Sequence, residues 1–251
     1  MSYLSIVIPA YNEEHRLPAT LDSICNFFAG RNLDFEILIV NDGSTDNTST
    51  LIERYTTRCP QIRTITNPIN RGKGYTIRAG VLAANSDLIL IDDADGSSPI
   101  AEFDRLNAAI QMGADIAIGS RAKPDPNRTV NALAYRTYIG NTFNQVVQSL
   151  LLPGIYDTQC GFKLFKKDAA RNIFSLATIN GYAFDVEILY IARINKYRIE
   201  EVGINWNNVL GSKVNVFIDS IKMLAEVLKI SLNAKQGKYS NNQVQINDRT
   251  Y

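Results

Sequence analysis

An α/β fold, a mostly parallel central sheet with helices on its faces, is what this sequence predicts. Three observations carry that expectation. Short apolar runs end abruptly in polar, turn-forming residues, as buried strands do. Between successive runs, apolar residues recur at helical spacing. The two patterns alternate through the first half of the chain, which calls for parallel strands joined by right-handed crossovers.

The elements follow in order. Leu4 to Ile8 is a first strand, closed by Pro9, and a polar loop, Tyr11-Asn12-Glu13-Glu14, leaves it. Leu17, Leu21, Ile24 and Phe28 mark a helix stopped at Gly30. Phe35 to Val40 is a second strand, ending in Asn41-Asp42-Gly43-Ser44-Thr45-Asp46, with Thr45 and Asp46 placed to cap the helix of Leu51, Ile52 and Tyr55. Ile62 to Thr66 is a short strand. Asn70-Arg71-Gly72-Lys73-Gly74 opens a helix carrying Ile77, Val81 and Leu82. Leu88 to Ile91 is a strand that ends in three carboxylates, Asp92, Asp93 and Asp95. Pro99 starts a helix burying Ile100, Phe103, Leu106 and Ile110. Asp115 to Ile118 is a further strand, followed by Gly119-Ser120-Arg121.

The second half is less regular. Lys123 to Thr129 reads as a proline-broken, mobile loop, and a long helix is expected from about Asn131 to Leu152, ended by Pro153-Gly154. Phe184 to Ile194 has helical spacing, and Ile199 to Trp206 alternates like a strand. Val214 to Leu232 reads as an amphipathic helix. The expected organisation is one domain over 1–233, with halves meeting near 121–122, and a polar, disordered tail over 234–251.

Composition narrows the function classes. The chain has 251 residues, 45% hydrophobic and 20% charged, enough for a substantial core. A net charge of +1 gives no global field for nucleic acid. Three scattered cysteines, Cys25, Cys59 and Cys160, argue for a reducing compartment and against a disulfide framework. The single histidine, His15, makes a Ser-His-Asp hydrolase a poor fit and reads as a solvated helix residue. No signal peptide is legible, and no stretch reaches the roughly 20 apolar residues of a membrane span. The chain is expected to be soluble or to lie on a membrane surface.

In an open α/β sheet, ligands bind at the carboxyl edge. The loops after Ile8, Val40, Ile91 and Ile118 should share that edge, bringing Asp42, Asp93, Asp95 and Arg121 together. Asp93-Ala94-Asp95 offers hard oxygens that could hold a divalent cation against a phosphate, or simply form a solvated acidic turn. Asp42 could accept hydrogen bonds from a nucleoside or cap the next helix; with Thr45 and Asp46 serving as caps, it is expected to be spare. The Gly-flanked Lys73 stands where a helix N-terminus favours an anion, though without the spacing of a Walker loop. Arg121 and Arg136 flank the proline-broken loop and could fork onto phosphate or be ordinary surface arginines. Asp157 and Lys163 straddle Gly161, where a local salt bridge is the plain alternative.

The segments IVIPAYNEE, VNDGSTDNT, NRGKGYTIRAG, DDADGSSP, IGSRA, DTQCGFKLF, FDVEILYIA and VGINWNNVLGSKV occur in this order. In them the chain closely resembles the family 2 inverting glycosyltransferases. Within these it is most similar to the polyprenyl-phosphate branch, the dolichyl-phosphate glucosyltransferases and mannosyltransferases. DTQCGFK and the NW…GSK segment favour the glucosyltransferase side. The resemblance implies a GT-A fold, Rossmann-like, and metal-dependent, inverting transfer of glucose from UDP-glucose to a polyprenyl monophosphate. It implies that Pro9, Ala10, Tyr11, Glu13 and Asp42 surround the uracil and ribose, with Lys73 nearby. Asp93 and Asp95, with Ala94 between them, would hold Mg²⁺ or Mn²⁺ against the donor diphosphate. Arg121, Arg136 and Lys163 would grip the acceptor phosphate. Asp157 matches an acidic position near the acceptor, either a base or a group orienting Lys163, Arg136 or the phosphate. Asp95, Arg136 and Asp157 are the catalytic expectation. The expected partners are a nucleotide sugar, a polyprenyl phosphate and the cytoplasmic surface of a membrane; a homo-oligomer is left open.

Two other readings compete. A family 2 transferase could use GDP-mannose, or a sugar hydroxyl with Asp185 or Glu187 as base; the Gln-x-x-Arg-Trp signature of processive synthases is absent, the only tryptophan being Trp206. A nucleotide-sugar-binding protein without turnover is the third, and the intact carboxylate pair counts against it.

Overall fold

The computed structural model describes residues 2–126, 128–131, 144–209 and 216–240. Its first half alternates β1 (Leu4–Ala10), α1 (Leu17–Ala29), β2 (Phe35–Asp42), α2 (Thr48–Arg58), β3 (Ile62–Asn67), α3 (Lys73–Ala83), β4 (Leu88–Ile91), α4 (Phe103–Gln111) and β5 (Ile116–Ser120). A 3₁₀ turn over Ile100–Glu102 leads into α4. Then follow β6 (Val130–Asn131), β7 (Lys163–Lys166), α5 (Lys167–Leu176), α6 (Phe184–Ile194), β8 (Ile199–Gly203), β9 (Trp206–Asn207) and α7 (Val216–Lys235).

Among the described residues, seven strands form one sheet in the order β3-β2-β1-β4-β7-β5-β8. Only β7 runs antiparallel, wedged between β4 and β5. The strands read as unbroken apolar runs because both faces of the sheet are covered. Leu4, Ile6 and Ile8 of β1, with Leu88 and Leu90 of β4, join one core under α1 and α4. Val7, Ile89 and Ile91 point the other way, into a core shared with α3, α5 and α6. The expected shared edge exists: β1, β2, β4 and β5 all deliver their carboxyl ends to one rim.

The second half corrects several expectations. Asn131 belongs to a two-residue parallel ribbon, with Val130 opposite Trp206, and not to a helix. Of the expected long helix, the described part is helical over 144–150; 132–143 lies outside the described residues. The alternating run from Ile199 splits, because β8 stays in the main sheet while Trp206 leaves for that ribbon. The proline-broken loop is tied down: Lys123 N donates to Ser120 Oγ at 2.8 Å, Arg105 pairs with Asp125, and Arg128 donates to Arg121 O. The boundary expected at 233 falls inside α7, and residues 234–240 are ordered. Tyr239 is fully buried, an aromatic anchor in a segment whose polar composition concealed it. Residues 241–251 lie outside the described residues.

Candidate active site

β1 is followed in space by β2 and β3 on one side, while β4 lies on its other side. The connections therefore diverge between β1 and β4, which opens a crevice at their carboxyl ends. Pro9 and Ala10 finish β1 there, and Tyr11 projects beyond it, 37% exposed. Asn12, in a left-handed conformation at φ 55°, ties this loop to the one after β2. Its Oδ1 accepts from Thr45 N at 2.7 Å, and its own N–H donates to Ser44 Oγ at 2.9 Å. Two rim loops are thus one unit.

Asp93 and Asp95 leave β4 on the other side of the crevice. Asp93 Oδ1 is buried, accepts no well-aligned hydrogen bond and lies 2.7 Å from the Lys73 ammonium. Burial alone would push the Asp93 carboxyl up; Lys73, then Lys163 and Arg121, outweigh it and hold it below the usual range. Burial likewise works against the charge on Lys73, but Asp93 and Asp185 outweigh it and keep the ammonium charged. The carboxylate of Asp93 lies directly over Gly161, where any Cβ would collide with it. Glycine at that position is a matter of space. Asp95 faces Arg16 at 3.5 Å, and Arg16 also clasps Glu13 through Nε at 2.7 Å and Nη2 at 2.5 Å. Ala94 O accepts from Thr20 Oγ1 at 2.9 Å, fixing the turn between the two aspartates. Asp92 is buried; desolvation, then Asp93 and Asp95, push its carboxyl well up.

Asp42 is not spare. It accepts from Asn67 Nδ2 at 2.7 Å, Arg71 N at 3.0 Å and Gly72 N at 2.9 Å, and so closes the turn that presents Lys73. On the β5 side, Asp157 accepts three bonds from Arg121: Nε at 2.8 Å, Nη2 at 2.9 Å and the backbone N at 2.9 Å. Desolvation opposes its charge, but Arg121 lowers the Asp157 carboxyl to about 2. The same guanidinium lies 5.4 Å from the centre of the Trp206 ring. Of the groups that Asp157 could orient, Lys163 is not in contact with it; the carboxylate is held by Arg121 instead. The local salt bridge between Asp157 and Lys163, the plain alternative, does not form either. Lys163 is buried in β7, and its ammonium is spent on Asp185 at 2.5 Å and on Cys160 O. Direct contact between Lys163 and an acceptor phosphate, as expected from the sequence, does not fit that burial. Arg136 lies outside the described residues. His15 is exposed.

Arg16, Gly161 and Trp206 were missed as site residues, and Asp185, offered only as a base for a sugar-hydroxyl acceptor, meets the site as the partner of Lys163. Arg16 stands three residues after Glu13, a helical ion-pair spacing that could have found it; the others meet the site only through long-range packing. Among the described residues, no three His, Cys, Asp or Glu side chains converge on one metal position. Two carboxylates, one with an oxygen lacking a directed hydrogen bond, instead suit an ion that completes its shell with phosphate and water, as Mg²⁺ does.

The family model for glycosyl transferase family 2 matches residues 5–174. A dolichyl-phosphate beta-glucosyltransferase of Trichomonas vaginalis is 36% identical over 248 residues, covering 95% of this chain and 73% of that protein. The Homo sapiens dolichyl-phosphate beta-glucosyltransferase is 36% identical over 251 residues, covering 94% and 77%. Among solved structures, glucosyl-3-phosphoglycerate synthase from Mycobacterium tuberculosis, in complex with Mn²⁺, uridine-diphosphate-glucose and phosphoglyceric acid, superimposes with a TM-score of 0.69. At 18% identity, over 91% of this chain and 79% of that one, the likeness establishes the fold alone.

Proposed function

The chain belongs to glycosyl transferase family 2, and on that premise we propose that it transfers glucose from UDP-glucose to a polyprenyl monophosphate, inverting the anomeric carbon. The fold is GT-A and the protein is a glycosyltransferase; the donor, the acceptor and the stereochemistry are the reading. One observation carries it: at the β1–β4 crevice, two carboxylates stand opposite the cations Lys73 and Arg16, with Arg121 nearby. That is the charge pattern a nucleoside diphosphate with a divalent cation would complete. The named relatives supply the acceptor class.

Pro9, Ala10, Tyr11 and the joined 12–46 loops would form the wall for base and ribose. Asp42 would act by holding the turn of Lys73. Asp93 and Asp95 would hold Mg²⁺ or Mn²⁺, which when bound offsets charge on the leaving diphosphate. Lys73 then sits where it can neutralise that same charge. Arg121 is pre-aimed by Asp157 and stacked by Trp206, which suits it to an acceptor phosphate, with Arg136 as its proposed companion.

A phosphate monoester, with a second pKa near ~6, is largely dianionic at neutral pH and needs little deprotonation. Asp157, lowered to about 2, is a weak base. The two facts agree, and they favour an orienting role for Asp157. A sugar-hydroxyl acceptor would need a base, and Asp185 and Glu187 are both buried and engaged, the first by Lys163, the second by Thr178 and Ile179.

Attachment to a membrane surface is proposed through α7. Leu224, Leu228 and Leu232 form an exposed row, with Lys222, Lys229 and Lys235 also exposed. Among the described residues, no helix is long and apolar enough to cross a membrane.

The test is incubation with radiolabelled UDP-glucose, GDP-mannose or UDP-galactose, plus polyprenyl phosphate and Mg²⁺. Label from UDP-glucose should move to the organic phase. Movement from another donor would reassign the sugar, and movement from none would overturn the reading.

A further inference from the structure

Lys73 stands between two glycines, and both press on a distant segment. Gly74 N donates to Asn180 O at 2.8 Å, and Arg78 Nη2 donates to Asn180 Oδ1 at 2.8 Å. Any Cβ on Gly72 would strike Asn180 O, and one on Gly74 would strike Ile179 O and Phe184 Cβ. The 178–183 segment is therefore the seat of the Lys73 turn.

That seat is held from behind by the C-terminal part of the chain. Glu226 of α7 lies against Gly181, where a Cβ would collide with its carboxylate, and accepts from Ala183 N at 3.1 Å. Glu187, fully buried on α6, gathers the other end: it accepts from Thr178 N at 2.9 Å, Thr178 Oγ1 at 2.8 Å and Ile179 N at 2.8 Å. Its remaining donor is the Tyr239 hydroxyl, at 2.7 Å. Asn233 Nδ2 donates to the Tyr239 hydroxyl oxygen at 3.0 Å. Asn195 Nδ2 donates to Tyr239 O at 2.9 Å. Burial and the neighbouring Glu187 push the Tyr239 phenol up, so it stays a donor across the working range.

We propose that Glu226 and Tyr239 are positioning residues for the donor site: through the 178–183 segment they set the Gly72–Gly74 turn, and so the Lys73 ammonium, against Asp93. This rests on the donor reading given above. A buried hydroxyl donating to a carboxylate is among the stronger hydrogen bonds, and removing it leaves Glu187 short of a partner. Both act on Lys73 through packing and backbone hydrogen bonds of the 178–183 segment.

The test uses the full chain and two readouts. Amide exchange is followed without ligand in Tyr239→Phe and Glu226→Gln; Gly74 and Tyr75 should exchange faster in both. UDP binding with Mn²⁺ is then measured calorimetrically for the unaltered chain, Tyr239→Phe, Lys73→Ala and the double variant. Tyr239→Phe should weaken UDP by roughly three- to tenfold. On the Lys73→Ala background it should weaken UDP no further. Equal losses on both backgrounds, or faster exchange confined to 226–240, would overturn the proposal. So would a lowered Tm with UDP affinity intact. No UDP binding by the unaltered chain would remove the donor reading and this inference with it, whereas unchanged exchange at Gly74 and Tyr75 removes the positioning role alone.

Discussion

Charged groups line the crevice on two sides, and the two sides are built differently. On the β1–β4 side the pairs keep some exposure to solvent. Lys73 and Asp93 are each about a quarter to a third exposed, and Arg16 stands 3.5 Å from Asp95. On the β5–β7 side they are locked. Asp157 accepts three bonds from Arg121, and the Lys163 and Asp185 side chains are only 1% and 7% exposed. Pairs that keep some exposure can exchange partners for a ligand at smaller cost. Buried, multiply bonded pairs cannot, because breaking them strands a charge. The first set suits ligand exchange with a metal–diphosphate, and the second suits a frame that aims one arginine.

The largest test of this contrast is Asp93→Ala. On the exchangeable side, removal should cost transfer about a thousandfold or more, together with metal-dependent UDP binding. Tm should barely move, as measured by thermal denaturation. A large stability loss without ligand would put Asp93 in the frame instead. Lys163→Met should do the reverse. It leaves Asp185 buried and unpaired, which destabilises by about 3–5 kcal/mol. Adding Asp185→Leu should restore most of that loss. If Lys163→Met instead folds normally and raises only the acceptor KM, Lys163 reaches the phosphate after all and the contrast fails.

The same division separates what was legible in the sequence from what was not. Strands β1 to β5 were all readable, because periodicity is local and they follow one strand–helix rhythm. β4 came out at Leu88–Ile91 to the residue. On the β5–β7 side the decisive facts are long-range. β7 is four residues long and takes its place only because β4 and β5 flank it. Arg121 and Asp157 are 36 positions apart, Lys163 and Asp185 are 22. No pattern in a window of residues shows which carboxylate a given cation meets. The motif resemblance offered Lys163, Arg136 or a phosphate as what Asp157 orients, and its contact with Arg121, 36 positions away, leaves no local trace. Tyr239 was misread for a related reason: one buried aromatic in a polar stretch leaves no periodic trace.

Asp157→Asn probes the frame through pH. The carboxyl is depressed from 3.8 to about 2, which corresponds to roughly 2 kcal/mol of native-state stability. For a depressed carboxylate that contribution is present above the unfolded value and is lost as pH falls from about 4 toward 2. Urea denaturation of the unaltered chain should therefore weaken across that window, and the Asn variant should lose this part of the slope. Transfer by the variant should fall at every pH between 5 and 9 with the profile's shape kept. Selective loss of one limb would mean that Asp157 exchanges a proton in the reaction.

Asp92→Asn should have the smallest effect, and its sign is the informative part. Asp92 adjoins the exchangeable pair in sequence but is buried and carries a carboxyl pushed well up by desolvation, then by Asp93 and Asp95. For a raised carboxyl the native state binds the proton more tightly than the unfolded chain, so stability declines as pH rises from the unfolded value through the folded one. Asparagine mimics the neutral form and removes that penalty. The variant should equal the parent in Tm at low pH and match or exceed it near pH 8, with transfer within about twofold, the span of an ordinary mild substitution. A loss of transfer as deep as that of Asp93→Ala would move Asp92 into the ligand-exchanging set, and the two carboxylates that face the crevice would have to be reassigned by one residue.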